Sequence, residues 1–459
     1  MKRRFLLPVT AAIALAAVTS FQRLAAAPPP PPPPPSGTGS TENAPPPPPP
    51  PPPPATGSGS GAQQPPPAAT PPPVPPATGS GQGGQPPPLA PPPGPPELGD
   101  PLPGLTAAQL TDFQNGLDQF NTVETPETGL GPVYNNVSCV ACHSGPAVGS
   151  ASVIRVTRFG RTTDGVFDPL TALDGSLHHQ YAIVVECQEV IPPQANTIAQ
   201  RQTVPLFGSG LIEAIPDSTI IANAARPSVD GVHGVAAKIT DVASGATRVG
   251  RFGWKNQQAT LLAFSGDAFL NEMGITNRLF PNEDAPDGNE ALLAEYDPVT
   301  GVQDVVDPTT GKAGIDRLTD FMQLLAPPPP LPPTAATAAG HNLFHQIGCG
   351  VCHMRSMTTG PSPIAALAGK PVVLWSDLLL HNMGSLGDGI AQGAASPKQM
   401  RTSPLWGLRF SAPYLHDGRA PTIDAAIRGH AGEGSVSTQR YLKLSPAQQK
   451  QLLDFLGSI

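Results

Sequence analysis

The chain has 459 residues, including 64 prolines and 48 glycines, with only 13% charged side chains and a net charge of −8 at pH 7. So mild an acidity, with no basic run beyond the first few residues, argues against a nucleic-acid partner and is compatible with a small basic one. The proline and glycine excess excludes one uniformly packed globule, because long stretches of this composition bury no core.

In chain order, Lys2, Arg3 and Arg4 precede an apolar run from Phe5 to Val18, and Ala25, Ala26 and Ala27 are small enough for signal peptidase. Residues 1–27 therefore read as a cleaved signal peptide, the alternative being an uncleaved N-terminal anchor. The run is shorter than the about 20 residues a membrane helix needs. No later segment is apolar enough to span, so the mature chain is expected in the periplasm or outside the cell. Residues 28–101 are poly-Pro tracts broken by Gly/Ser/Thr patches such as Gly57 to Gly61. Stiff polyproline II pieces alternate there with flexible ones, which predicts a disordered tether.

From residue 102 helical signals appear. Thr106 and Gln109 form a capping-box pair, and Leu110, Phe113, Leu117 and Phe120 recur on one helical face. A loop leads to Cys139-Val-Ala-Cys142-His143, and the same pattern returns as Cys349-Gly-Val-Cys352-His353. With 5 Cys and 10 His in 459 residues, chance would give roughly 0.001 such pentapeptides. Two thiols separated by two residues can add to the two vinyl groups on one haem edge, and the adjacent His then reaches the iron. A thioredoxin-like pair or a four-Cys zinc site gives no reason for a His in that position twice. The expected cofactors are two covalently bound haem c groups. Cys187 is left over, in the apolar run Ile183-Val184-Val185-Glu186-Cys187, and reads as a buried unpaired thiol.

Between the motifs, Tyr181 to Ile191 and Val235 to Arg251 look like strands and turns, with a turn at Ser244-Gly245. The acidic stretch from Asn282 to Asp316 reads as a loop, and Glu283, Asp284 and Asp287 could hold calcium there. Pro327 to Pro333 marks a linker. Gly340, Leu343, Phe344 and Ile347 then run into Cys349, and the chain ends in a helix capped by Ser445 and Gln448 with Pro446 at its first position. The expected fold is mainly α: an N-terminal haem lobe with insertions (102–326) and a C-terminal haem lobe (327–459). Both are cytochrome c-like, with loop-rich and short β insertions.

Several segments resemble one group: Arg251-Phe-Gly-Trp254-Lys255, Asn271-Glu272-Met273-Gly274, Ser376-Asp-Leu-Leu-Leu-His381-Asn-Met383-Gly384, Pro404-Leu-Trp406-Gly407 and Pro413-Tyr-Leu-His416-Asp417-Gly418-Arg419. It is the di-haem oxidoreductase family of peroxidase-like proteins, related to bacterial di-haem cytochrome c peroxidase and the methylamine-dehydrogenase cofactor maturase. The resemblance covers essentially all of the chain after the tether. It implies that the N-terminal haem meets hydrogen peroxide while the C-terminal haem stores and relays an electron. The family's distal glutamate falls on Glu272, and its tryptophan between the haems falls on Trp254. The distal ligand of the second haem falls on His430, where the peroxidases have Met and the maturase Tyr. A His/His iron has a lower potential than His/Met. Met383 and His381 are the alternatives, and His178, His179 and His233 are candidates for the first haem's sixth position.

Peroxide reduction needs a proton carried to the departing oxygen, and a carboxylate whose pKa is raised by burial suits that shuttle. Glu272 is the candidate; otherwise it is a helix-surface residue preceding a buried Met. His416 reads as structural or propionate-contacting, and Arg251 and Arg419 as partners of propionates or of acidic neighbours. The leading function is a periplasmic di-haem peroxidase. It would take hydrogen peroxide or another small oxidant, and electrons from a small cytochrome or cupredoxin. The alternatives are a pure electron-transfer cytochrome and an enzyme oxidising a protein or organic substrate.

Overall fold

The computed structural model describes residues 95–459. The expected signal peptide and the tether before residue 95 lie outside the described residues.

The helix Ala107–Asn121 begins where the sequence placed it. Gln109 N donates to Thr106 Oγ1 at 3.3 Å, and Thr106 N donates back to Gln109 Oε1 at 2.9 Å, which satisfies two otherwise orphaned amides. Its buried face carries Leu110, Phe113, Gly116 and Phe120, against the helix Gly314–Leu324. The Phe321 ring centre lies 5.3 Å from that of Phe113 and 4.9 Å from that of Phe120. Gly116 is needed at this crossing, since any Cβ there would collide with the Arg317 carbonyl and Phe321. The helix Leu261–Met273 packs on the same partner, joined by a buried Ser265–Thr319 hydroxyl pair at 3.2 Å.

The same device recurs in the C-terminal part. The helix Ala335–Gln346 crosses the terminal helix Pro446–Leu456 at Gly340, where a Cβ would meet the Gln451 carbonyl. The Phe344 and Phe455 rings close the crossing at 5.5 Å. Ser445 and Gln448 form the expected cap, with Ser445 N donating to Gln448 Oε1 at 3.0 Å.

Helices predominate among the described residues, as expected, but the β content is more organised than a set of short insertions. Arg155–Thr163 pairs antiparallel with Thr197–Gln202, Val166–Asp168 and Leu177–His178. Lys238–Thr240 and Thr247–Val249 form a hairpin, with Gly245 N on Asp241 O at 2.8 Å, so the turn at Ser244-Gly245 is present. The segment from Tyr181 is only a two-residue strand followed by the 3-10 turn Val185–Cys187, and Cys187 is 1% exposed. The acidic stretch is not all loop: Asn289 caps the helix Glu290–Tyr296 with its side chain.

Residues 100–102 lie beside residues 324–326. Leu102 N donates to Leu324 O at 2.7 Å, and Ala326 N donates to Asp100 O at 2.9 Å. The larger apolar core, around Phe113, Ile315 and Phe321, extends to Met357, Leu374 and Leu378. A second core gathers Phe344, Trp375, Tyr441, Leu452 and Phe455. No helix of the described residues is long and apolar enough to cross a membrane.

Candidate haem sites

The first motif sits on the short helix Cys139–Cys142. Burial pushes the Cys139 thiol up to about 12 and the Cys142 thiol up to about 11. His143 Nδ1 donates to the Ser150 carbonyl at 3.3 Å, and burial pushes its pKa down to about 4. The imidazole is thus neutral, the state that can ligate a metal, and it is held by the Ser150 carbonyl at Nδ1 and by the Val204 backbone. Phe120 meets its ring edge-on at 5.9 Å, which ties the imidazole to the first helix pair.

Glu272 lies in the last turn of the helix Leu261–Met273, which Gly274 ends in the left-handed region at φ 66°. Its carbonyl accepts from Asn135 N at 2.9 Å and Asn136 N at 3.2 Å, and its carboxylate Oε2 accepts from Asn135 Nδ2 at 3.0 Å. Asn136 Nδ2 in turn reaches Cys142 Sγ at 3.5 Å. The structure therefore brings Glu272 to the loop that enters the first motif. Burial raises its pKa against the opposing pull of Arg158, Asn135 and His179. Arg158, on the strand Arg155–Thr163, is a member of this environment that sequence reasoning missed. It carries no motif, and only the sheet register aims it there.

The second motif occupies the 3-10 turn Cys349–Val351 and the residues after it. His353 Nδ1 donates to the Trp375 carbonyl at 3.0 Å, leaving Nε2 to ligate a metal. Facing it is His430, at the end of the helix Ile423–Gly429, whose start is capped by Thr422 Oγ1 accepting from Ala425 N at 3.1 Å. His430 Nδ1 donates to Ala426 O at 2.8 Å. Burial lowers the pKa of both imidazoles, that of His353 to about 4. Two imidazoles on opposite sides of one metal, each nitrogen about 2 Å away, have ring centres about 6 Å apart. The His353 and His430 rings are 6.4 Å apart, so the residues present fit a metal between them.

His381 does not share that arrangement. Its Nε2 is held by Asp377 Oδ2 at 2.9 Å and its Nδ1 by Glu433 Oε2 at 2.7 Å. Burial works against its charge, but Asp377, Cys352 and Glu433 hold its pKa far above the usual imidazole value. Met383 lines the same cavity, a space of about 280 Å³ bounded also by Cys349, Cys352, His353, His430 and Trp254. Trp254 Nε1 donates to Gln202 O at 2.8 Å, and its ring meets His416 at 6.3 Å. Burial lowers the His416 pKa to about 4.

The two arginines named from the sequence are both paired with aspartates. Arg251 pairs with Asp217 and donates to Ile215 O at 2.5 Å, and Arg419 pairs with Asp417 at 2.5 Å. Glu283, Asp284 and Asp287 do not converge as a calcium loop would require. Glu283 takes Gln303 Nε2 at 3.1 Å, Asp287 takes Val190 N at 3.3 Å, and Asp284 lies 3.8 Å from His179. Among the described residues, the ligating groups that do converge are Asp174/His179/Glu189 and Cys352/Asp377/His381. His179 has both ring nitrogens engaged, by Glu189 at 3.0 Å and Asn271 O at 3.1 Å. His178 Nδ1 lies 3.6 Å from Glu189, and the His233 backbone binds Glu433, on the second haem's side.

Two unequal histidine sites, each behind a Cys-x-x-Cys turn, define a di-haem protein. A family model described as "Di-haem oxidoreductase, putative peroxidase" matches residues 188–459. The chain belongs to this di-haem oxidoreductase family, whose cofactor is haem. The match takes in Trp254, Glu272 and the whole second site, and it begins after the first motif. Solved structures with a similar chain include hydrazine synthase from Kuenenia stuttgartiensis, at 13% identity over 76% of this chain and 87% of that one, TM-score 0.33. The diheme peroxidase BthA from Burkholderia thailandensis is 15% identical over 76% of this chain and 85% of that one, TM-score 0.36. A MauG-like protein associated with microbial copper homeostasis is 16% identical over 55% of this chain and 88% of that one, TM-score 0.28. No curated protein matches.

Proposed function

We propose that the chain is an exported di-haem c-type cytochrome that reduces hydrogen peroxide at the first haem. In this reading an exported electron donor, such as a small cytochrome or cupredoxin, feeds the second haem. Cys139 and Cys142 hold one haem and Cys349 and Cys352 the other through thioether bonds. Each haem closes one cytochrome c-like lobe, a reading supported by the repeated helix crossings at Gly116 and Gly340. When bound, haem supplies iron-centred one- and two-electron redox chemistry.

The observation that carries this reading is the inequality of the two sites. The second is closed by a facing imidazole, His430, at 6.4 Å from His353. The first is accompanied by a carboxylate whose proton affinity burial has raised. Reduction of peroxide to two waters consumes two electrons and two protons. Glu272 holds a proton on its carboxyl group and delivers it to the departing oxygen, while Asn135 fixes the carboxyl orientation. Trp254, on the wall of the second cavity, carries electrons between the sites.

Paramagnetic resonance and optical spectra of the diferric and half-reduced protein test this reading. A high-spin, five-coordinate first haem that responds to peroxide is expected. Two haems that stay low-spin at every redox level and ignore peroxide would leave an electron-transfer cytochrome instead.

A further inference from the structure

Arg401 is a cation for which the described protein supplies no anion. It ends the strand Gln399–Arg401, where Leu380 is its antiparallel partner, and it is only 6% exposed. Its Nε donates to Gly253 O at 2.8 Å and its backbone N to Trp254 O at 2.9 Å. Among the described residues no carboxylate forms an ion pair with it, and its two terminal nitrogens have no hydrogen-bond partner. Its pKa is lowered to about 10, and burial is the only cause.

The other buried cations nearby are all compensated. Arg201 and Lys255 share Asp388, at 2.8 and 2.7 Å. His381 is held by Asp377 and Glu433. Arg251 has Asp217. An uncompensated buried charge costs several kcal/mol, and the planar guanidinium fork matches a carboxylate. Arg401 lines the cavity shared by Cys349, Cys352, His353 and His430. A haem bound there brings two carboxylates of its own; Arg251 has its terminal nitrogens engaged, and neither it nor Arg419 lines this cavity.

We propose that the Arg401 guanidinium binds a propionate of the second haem and, through Gly253 and Trp254, fixes that haem's edge to the Trp254 segment. Arg401 is thus a positioning residue that acts on haem potential and on the coupling to Trp254. The inference rests on haem occupying this cavity and is independent of whether peroxide is the substrate.

The test is spectroelectrochemical titration of the haem-loaded full chain and its Arg401→Gln and Arg401→Lys variants. Losing the positive charge favours the ferric state, so Arg401→Gln should shift the second haem's midpoint downward and leave the first haem's in place. Arg401→Lys should restore most of that shift, while the propionate bending band in the resonance Raman spectrum moves in both variants. An unchanged midpoint in Arg401→Gln, or a shift confined to the first haem, overturns the proposal. Should Arg401→Gln fail to retain haem, Arg401→Lys decides, and an unmoved propionate band then overturns it. None of these readouts depends on turnover, so a failed peroxidase assay and a failed propionate assignment remain separate results.

Discussion

Replacing Glu272 with Gln isolates proton delivery from shape. Asn135 Nδ2 donates to Glu272 Oε2 at 3.0 Å, and a glutamine oxygen accepts the same bond. The two backbone bonds from Asn135 and Asn136 to the Glu272 carbonyl are untouched. What disappears is the acid. A positioned general acid contributes roughly 10²–10⁴ in rate, which is about 3–5 kcal/mol of barrier. Peroxide turnover, followed by stopped-flow absorbance with a reduced small cytochrome as donor, should fall by that factor. The stability effect has the opposite sign. Burial raises the Glu272 pKa above 4.5, so the folded state binds the proton more tightly than the unfolded one. The stability linked to this proton is complete below the unfolded pKa and is lost as pH rises through the folded one. Glu272→Gln should therefore be at least as stable as the parent at neutral pH, with its advantage vanishing as pH falls toward 4.5. A variant that turns over peroxide at the parent rate, or loses turnover only by unfolding, refutes the acid role.

Other substitutions probe the frame around the sites. Replacing His430 with Ala should turn the second haem's spectrum from six-coordinate low-spin to high-spin; an unchanged spectrum returns the ligand to Met383. Asp388→Asn leaves the fully buried Lys255 and the nearly buried Arg201 without their anion. Urea titration should report a loss of about 3–5 kcal/mol, and a near-neutral result would mean the network is solvated. Gly340→Val forces side-chain atoms against the Gln451 carbonyl. It should cost about 1–3 kcal/mol by overpacking, read as a lower denaturation midpoint, with Gly340→Ala intermediate. The parent's midpoint in both variants would mean the two helices separate freely at this crossing.

Much of the framework was legible because it is written in local signals. The caps at Thr106 and Ser445 and the turn at Ser244-Gly245 follow from spacing within a few residues, whereas His430 was named only by resemblance. Glu272 and Trp254 were named by resemblance, and the fold adds what holds them: Asn135 for one, Gln202 for the other. What stayed hidden depends on distance along the chain. The helix Gly314–Leu324 completes the first crossing about two hundred residues after its partner, and the sheet between them gave no hint of its register. Arg158 and Arg401 lie on ordinary-looking strands, and only folding places Arg158 among Asp267, Glu272 and Asp284 and leaves Arg401 without an anion among the described residues. Sequence alone kept Arg251 and Arg419 open as propionate partners because no local pattern says which charges will meet. The same holds for the acidic loop, where Glu283, Asp284 and Asp287, close in sequence, meet three different partners.

The bonds from Asp100 and Leu102 to Ala326 and Leu324 have a mechanical consequence. The segment from residue 100 to residue 102 is stitched to residues 324–326, just after the helix Gly314–Leu324. Two backbone rungs, each contributing about 0.5–1.5 kcal/mol net, form a seam whose side chains Leu102, Leu324 and Leu325 are buried in the larger core. Tension applied to the N-terminal segment therefore reaches this seam before either helix crossing. Release of the seam would free residues 100–102 while leaving Gly116 and Gly340 locked against their partners.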